Sequence, residues 1–521
     1  MDAARLETAL GHKQQLARNY DLLSLTSLGI VIANAWALTG GTIVTALQNG
    51  GPMAILYGLI VVSVFYTLIT ASLGELASSM PSAGGVYYWS SVLSGKHGRW
   101  IGYLTGYLNA CGWLLSASSI SSILANEVLA MYILQHPTTK WHSWQVFILF
   151  QIFNWTCCGI VCFGNRFIPT INGIALLLSM GGLLVTVIIL AVMPKRHATV
   201  SDVWLNYQNN TGGWSDGICF LAGLLNAAFA VGVPDCISHL SEEVPNPTLK
   251  VPQAMLLQML TSFTTAFIYL IALFYSISDL PAILSSNLTF FPTAAIYLQA
   301  TSSPAAATAL VAILFLSTLP TLLGTFVTGS RMWFSLARDS ATPFPVYLAH
   351  IDEKRKTPIR ATIAMATLIS VIGIIYLAST TAFQALISSY IVLSTLSYLG
   401  AILPNILTAR KRLIPGPFYL GKRVGMVVNC VSVVYIAVTV VFFCFPFLRP
   451  VTVGNMNWTC VVVVGVLFLA AGWWAVRIRG GGEYRGPKYD RDAAERFARG
   501  INGDEGEREG GKGETVSIQD I

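Results

Sequence analysis

Apolar runs of about twenty residues, each long enough to cross a hydrocarbon core of roughly 30 Å, recur from Leu22 almost to Arg479. Such a chain cannot bury its apolar surface inside a water-facing globule, so it reads as one integrated bundle of membrane-crossing helices. Composition agrees, since 11% of the 521 residues are charged and 54% are hydrophobic, against about 25% charged in soluble proteins. Spans are predicted at 22–47, 52–78, 99–133, 143–163, 167–193, 214–241, 252–277, 305–336, 360–379, 382–409, 424–447 and 456–478, with ends good to about 2–4 residues. Only Thr380 and Thr381 separate the ninth span from the tenth. The expected class is an all-α polytopic membrane protein of about twelve transmembrane helices.

The formal net charge of +7 does not point to nucleic acid, because the basic residues sit in short connectors rather than on one face. That is the positive-inside pattern. With the N terminus inside, the cytoplasmic connectors hold Lys96, Arg99, Arg166, Lys250, Arg338, Lys354, Arg355, Lys356, Arg410, Lys411, Arg412, Lys422 and Arg423. The opposite side holds Lys140, Lys195, Arg196 and Arg449. This asymmetry puts both termini in the cytosol, and leaves the lipid bilayer and a small solute as the expected partners. Sequons at Asn209, Asn287 and Asn457 fall on or near the outer side and are candidate glycosylation sites. The nine cysteines lie mostly within apolar spans, where they act as small hydrophobes. No disulfide spacing, metal-ligand cluster or cofactor motif stands out. The polar segment before Leu22 lacks the layout of a cleavable signal peptide, so the first span is expected to remain as a signal anchor. Residues 279–300, between the seventh and eighth spans, suit a short interfacial helix.

Two spans carry unfavourable helix chemistry. Span 1 contains Asn34, Trp36, Thr39, Gly40, Gly41 and Thr42, and each glycine costs a helix interior about 1 kcal/mol relative to Ala. Span 6 contains Phe229, Gly232, Pro234, Asp235 and His239, where proline costs about 3 kcal/mol. Backbone freed at membrane depth survives only where it lines a cavity or is buried in protein. Each interrupted span opens a set of five, the second set beginning where an inverted repeat of the first would begin. Matched interrupted helices of this kind point to the solute site of a secondary transporter; glycine and proline also mark simple kinks in membrane helices.

The site chemistry follows. A half-helix beginning near Gly40 and Gly41 would offer free N–H groups to a carboxylate, and the first half of span 6, ending near Gly232, would offer carbonyls to an ammonium. Asp235 is expensive at this depth, so it reads as a ligand for a cation, a proton carrier, or a half-helix cap in a wet vestibule. Trp36 and Phe229 either face the same cavity, where aromatic faces suit a quaternary ammonium, or are packing. Glu75, Glu127 and His239 are coupling or gating candidates. The plainer alternatives are that Glu75 anchors a loop, that Glu127 meets water near the outer end of span 3, and that His239 is a satisfied interior histidine. Glu242 and Glu243 with Arg331 or Arg338 could form an inner gate.

Several motifs carry a family resemblance. The stretch from Gly74-Glu75 through Pro81, Gly84-Gly85 and Tyr87 to Trp89 resembles the end of helix 2 and the following loop in the amino acid–polyamine–organocation superfamily. Ser241-Glu242-Glu243-Val-Pro245-Asn246-Pro247 resembles its segment after helix 6, and Ser330-Arg331 with Ala337-Arg338-Asp339 its helix 8 exit. With Gly232-Val-Pro-Asp235 and His239, the pattern is similar to the fungal amino acid/choline/GABA permease branch. The resemblance spans about residues 20–478. It implies the leucine-transporter fold, a five-plus-five inverted repeat with broken helices 1 and 6. On that plan residues 1–21 are a cytoplasmic tail, 22–409 the transport core with halves 22–193 and 214–409, 410–478 two added helices, and 479–521 a disordered cytoplasmic tail.

The function so implied is alternating-access import of a small amino acid or related amine, proton-coupled, at the plasma membrane, by a protein that is not an enzyme. No cofactor is expected. A sodium site using span 1 carbonyls with Thr325 and Thr328 stays open as the other coupling device. The alternatives are a choline permease, GABA being another solute of the branch, and, from a different class, a nutrient sensor that binds without moving solute.

Overall fold

The computed structural model describes residues 20–41, 43, 47, 49–139, 141–378, 381–446, 448–452, 455–478 and 484–487. Apart from 484–487, the tail expected at 479–521 lies outside the described residues, as do residues 1–19. Among the described residues, ten helices are long and apolar enough to cross a membrane, and two shorter apolar helices, Asp216–Val231 and Ile359–Ile375, stand where the sixth and ninth spans were expected.

Span 1 is split into α1 (Leu22–Ala33) and α2 (Ala35–Gly41). Span 2 is α3 (Gly51–Ser79), followed by the short α4 (Val86–Leu93) and by span 3, α5 (Gly98–Gln135). Spans 4 and 5 are α6 (Ser143–Phe163) and α7 (Ile168–Val192). The first half of span 6 is α8 (Asp216–Val231); its second half is a 3₁₀ turn over Ser238–Glu243 rather than an α-helix. Then come α9 (Pro247–Tyr275), the short α10 (Pro292–Thr301), α11 (Pro304–Arg338), α12 (Ile359–Ala378), α13 (Thr381–Leu407), α14 (Lys422–Phe442) and α15 (Thr459–Trp473). Local chemistry sets the ends. Asp21 caps α1 by accepting from the Ser24 N–H at 2.8 Å, and Pro247, Pro292 and Pro304 each open a helix where their missing N–H is free of cost.

The helices sort into two groups. Span 2 packs on spans 6 and 7, and span 7 on both halves of span 1; separately, span 3 packs on spans 4, 8 and 10, and span 9 on span 4. Span 5 touches span 1, span 7 and span 8, so it lies at the seam. Exposed apolar side chains ring the perimeter, among them Leu177 and Leu184 on α7, Val427 and Val434 on α14, and Phe468 and Leu469 on α15. In water such a belt would be a liability; against lipid tails it is the expected exterior. A two-residue antiparallel pairing of β1 (Asn49–Gly50) with β2 (Gln208–Asn209) ties the segment after span 1 to the one before span 6. The segment expected to hold a short interfacial helix carries two, a short one at Leu280–Leu284 with Pro281 and Ala282 exposed, and α10, which hides Thr293, Ala294, Ile296 and Tyr297 against spans 3, 5 and 8.

Candidate functional site

The break in span 1 falls at Asn34, with φ 29° and ψ 51°, and not at Gly40–Gly41. Asparagine tolerates this backbone better than most residues, and tertiary bonds hold it there. Its amide donates to the Ser317 carbonyl of α11 at 2.6 Å, and its oxygen accepts from Ser179 of α7 at 2.9 Å. Trp36 donates its indole N–H to the same Ser179 hydroxyl at 3.0 Å, while Thr321 of α11 donates to the freed Val31 carbonyl at 2.7 Å. One break thus engages spans 5 and 8 together. Gly40 and Gly41 stay helical for a different reason. A Cβ on Gly40 would stand 2.9 Å from the Tyr269 hydroxyl, so the glycine permits close approach rather than unwinding. Thr39 is buried and bonds back to the Ala35 carbonyl.

Span 6 breaks where expected. Gly232 ends α8, and a Cβ there would meet the Ala228 carbonyl oxygen at 2.2 Å. The halves meet, because α2 packs directly on α8. Beyond Gly232 the chain turns through Pro234 and presents Asp235 to the interior, fully buried. One carboxylate oxygen accepts from Asn109 at 2.8 Å and Trp113 at 3.3 Å and faces His239 Nε2 at 3.1 Å; the other accepts from Tyr398 at 2.5 Å. His239 Nδ1 lies 2.9 Å from the Ala83 carbonyl. That nitrogen must therefore donate, and a second proton must lie between Nε2 and the carboxyl. The Asp235–His239 pair holds that proton jointly, and every oxygen of Asp235 already has a protein donor. Phe229 and Tyr390 meet edge to face at 5.9 Å, and Trp113 and Tyr390 lie 6.3 Å apart, so aromatic rings crowd the same break.

Below the breaks, on the side of the basic connectors, ion pairs close the bundle. Arg331 Nε donates to Glu243 at 2.9 Å, and its other nitrogens reach Asn165 at 3.0 Å and Ser330 at 3.3 Å. Arg338 bonds both oxygens of Glu242 at 3.1 and 3.3 Å. The pairing is thus Glu243 with Arg331 and Glu242 with Arg338. The first pair is buried, not a surface pair, so removing one partner would strand a desolvated charge. Glu75 accepts from Arg410 at 2.6 Å and from the Leu420 N–H at 2.9 Å, so it anchors the loop after span 10.

Above the breaks, α10 closes over span 1. Thr293 donates to the Gly40 carbonyl, Tyr297 bonds Tyr269 at 2.7 Å, and Tyr269 meets the Trp36 ring edge to face at 5.4 Å. Glu127 is fully buried against Thr318, at 3.1 Å, and does not reach water at the end of span 3. Asn34, Trp36, Phe229 and Asp235 are all buried, so this conformation is closed on both faces.

Of the other sequence candidates, Thr325 bonds its own helix at the Thr321 carbonyl, while the buried Thr328 hydroxyl has no partner among the described residues. The hydroxyl that reaches span 1 is that of Thr321. Asn287 is exposed and Asn209 half-buried. Asn457 is not available to a glycan here, since it is buried and its amide donates to the Phe443 and Phe445 carbonyls at 2.7 and 3.0 Å. Sequence reasoning missed Ser179, Thr321, Asn109, Trp113 and Tyr398. The available signal was polar residues inside apolar spans, Asn109 and Trp113 standing one helical turn apart.

Residues 23–467 match the amino acid permease family. The choline transporter of Saccharomyces cerevisiae is 34% identical over 463 residues, covering 88% of this chain and 81% of that protein. The amino-acid permease BAT1 of Arabidopsis thaliana is 26% identical, covering 90% and 93%. Among solved structures, a manganese transporter from Eremococcus coleocola superposes with TM-score 0.54 at 13% identity, covering 88% of this chain and 95% of its own. That likeness concerns the fold alone, and it bears out the leucine-transporter-like arrangement.

Proposed function

This chain belongs to the amino acid permease family, and we propose that the solute it carries is a small organic amine of the choline class, taken into the cell with a proton. It is a transporter and an integral membrane protein, not an enzyme. The observation that carries the solute reading is the break in span 6, where a carboxylate sits among Trp113, Phe229, Tyr390 and Tyr398. Aromatic faces bind quaternary ammonium ions without hydrogen-bond donors. Asp235 then acts through its ring of partners, fixing Trp113 and Tyr398 at the break. The relative at 34% identity supports the same choice.

A second reading, an amino acid such as alanine or GABA, is favoured by the carbonyl end of α8 at Gly232 and by the packing of α8 on α2. In both readings solute lies between Asn34–Gly41 and Phe229–Asp235, and spans 1, 2, 6 and 7 rock against the rest. The ion pairs on the basic side serve as the inner gate and α10 as the outer lid. The connector charges support cytoplasmic termini, and import at the plasma membrane is the setting we propose.

Uptake of labelled choline, alanine and GABA in transporter-deficient yeast, at two external pH values, tests this. Saturable choline uptake that excess alanine does not compete, and that Asp235→Asn abolishes, is the expected result. Uptake of alanine or GABA untouched by choline would replace the first reading with the second. Binding without uptake of any of the three would leave a sensor, and dependence on external sodium instead of pH would move coupling to the Thr321–Val31 region.

A further inference from the structure

Building on the proton-coupled reading above, we infer that Glu127 is the group that binds the transported proton, and that its protonation is what allows the outer lid to close. The argument is a proton count. Glu127 is wholly buried in span 3, and one of its oxygens has no partner among the described residues. The other lies 3.1 Å from the Thr318 hydroxyl, which also stands 3.0 Å from the Leu314 carbonyl of its own helix. A hydroxyl has one proton and here two acceptors. If Glu127 were ionised, either the carboxylate or the Leu314 carbonyl would go without that proton, with a bare carboxylate oxygen left at membrane depth, where desolvated charge is heavily penalised. If Glu127 is a carboxylic acid, its O–H donates to Thr318, whose own proton goes to Leu314. Every donor then has an acceptor.

Among the described residues, no lysine, arginine or histidine faces Glu127 to hold it ionised. The titratable groups in electrostatic reach are the phenols Tyr269 of α9 and Tyr297 of α10, the pair that fastens the lid. Asp235 differs in kind, because three protein donors and the His239 proton satisfy it. Position supplies the coupling. Thr318 adjoins Ser317, whose carbonyl holds Asn34, and lies one turn from Thr321, which holds Val31. An ionised Glu127 needs water and so keeps the lid side wet; the acid needs none and lets the lid seat on Gly40. Protonation from outside thereby precedes occlusion, as import with a proton requires.

The test uses the full-length protein in liposomes containing a pH dye, presented in turn with choline, alanine and GABA. The expected result is solute-evoked proton entry in the wild type and, in Glu127→Gln, proton entry per solute moved falling to that of protein-free liposomes. Wild-type and variant ratios that agree would overturn the assignment and leave proton coupling standing. Proton entry absent from the wild type with all three solutes would overturn the coupling itself. Should Glu127→Gln fail to fold, Glu127→Asp keeps a titratable group but withdraws it from Thr318. Its external pH of half-maximal uptake is expected to move by about half a unit or more, and an unmoved midpoint would count against Glu127.

Discussion

Replacing Glu243 by Gln removes one charge from a pair whose side chains are 0% and 2% exposed, with Arg331 left in place. Breaking a buried pair by removing one partner costs about 3–5 kcal/mol, because the surviving charge stays desolvated. Arg331 keeps its bonds to Asn165 at 3.0 Å and Ser330 at 3.3 Å, which argues for the lower end, about 3 kcal/mol. The penalty applies only while the basic face is closed, since opening hydrates the guanidinium. The open-to-closed ratio should therefore rise about 150-fold. A closed state favoured a hundredfold, about 2.7 kcal/mol, would become comparable to the open one. Cys236 reports this directly, because it is fully buried one residue from Asp235. We expect maleimide labelling of Cys236 in inside-out vesicles, read peptide by peptide, to accelerate strongly in Glu243→Gln. Equal Cys236 rates in variant and wild type would refute the gate assignment and the burial argument under it.

Two further outcomes follow from local geometry. Gly40→Ala places a methyl 2.9 Å from the Tyr269 hydroxyl, so solute uptake should fall severalfold through overpacking of about 1–3 kcal/mol; Tyr269→Phe, which removes the crowded oxygen, should restore part of it, and a double variant no better than the single one would contradict the close-approach role. At the start of α1, the Ser24 hydroxyl and N–H hold the Asp21 carboxyl below the usual carboxylate range. A depressed native value stabilises the fold above the unfolded value of about 3.9 and loses that stability as pH falls through the native one. Asp21→Ala should lower the melting temperature at neutral pH, by a cap worth about 1 kcal/mol, and the gap to wild type should close only below about pH 4.

Much of this protein is written in one dimension. Span number and class follow from apolar run length alone, because a hydrocarbon layer accepts a helix of fixed minimum length and nothing irregular facing lipid. Pro234 beside Asp235 announced the span 6 break, since a missing N–H and a charge are costly in any helical context. Packing had to decide the rest. Gly40 and Gly41 have poor helix propensity, yet the chain unwinds six residues earlier at Asn34, where Ser317 and Ser179 repay the lost helical bonds. Which glutamate pairs with which arginine, and whether the pair is dry, depends on how span 8 crosses the turn after span 6. The state of Glu127 is the clearest case. From sequence it is a carboxylate near a helix end in contact with water; in the folded bundle it is fully buried against Thr318. Propensity and hydropathy are properties of single residues and short windows, whereas desolvation belongs to whichever distant segments arrive.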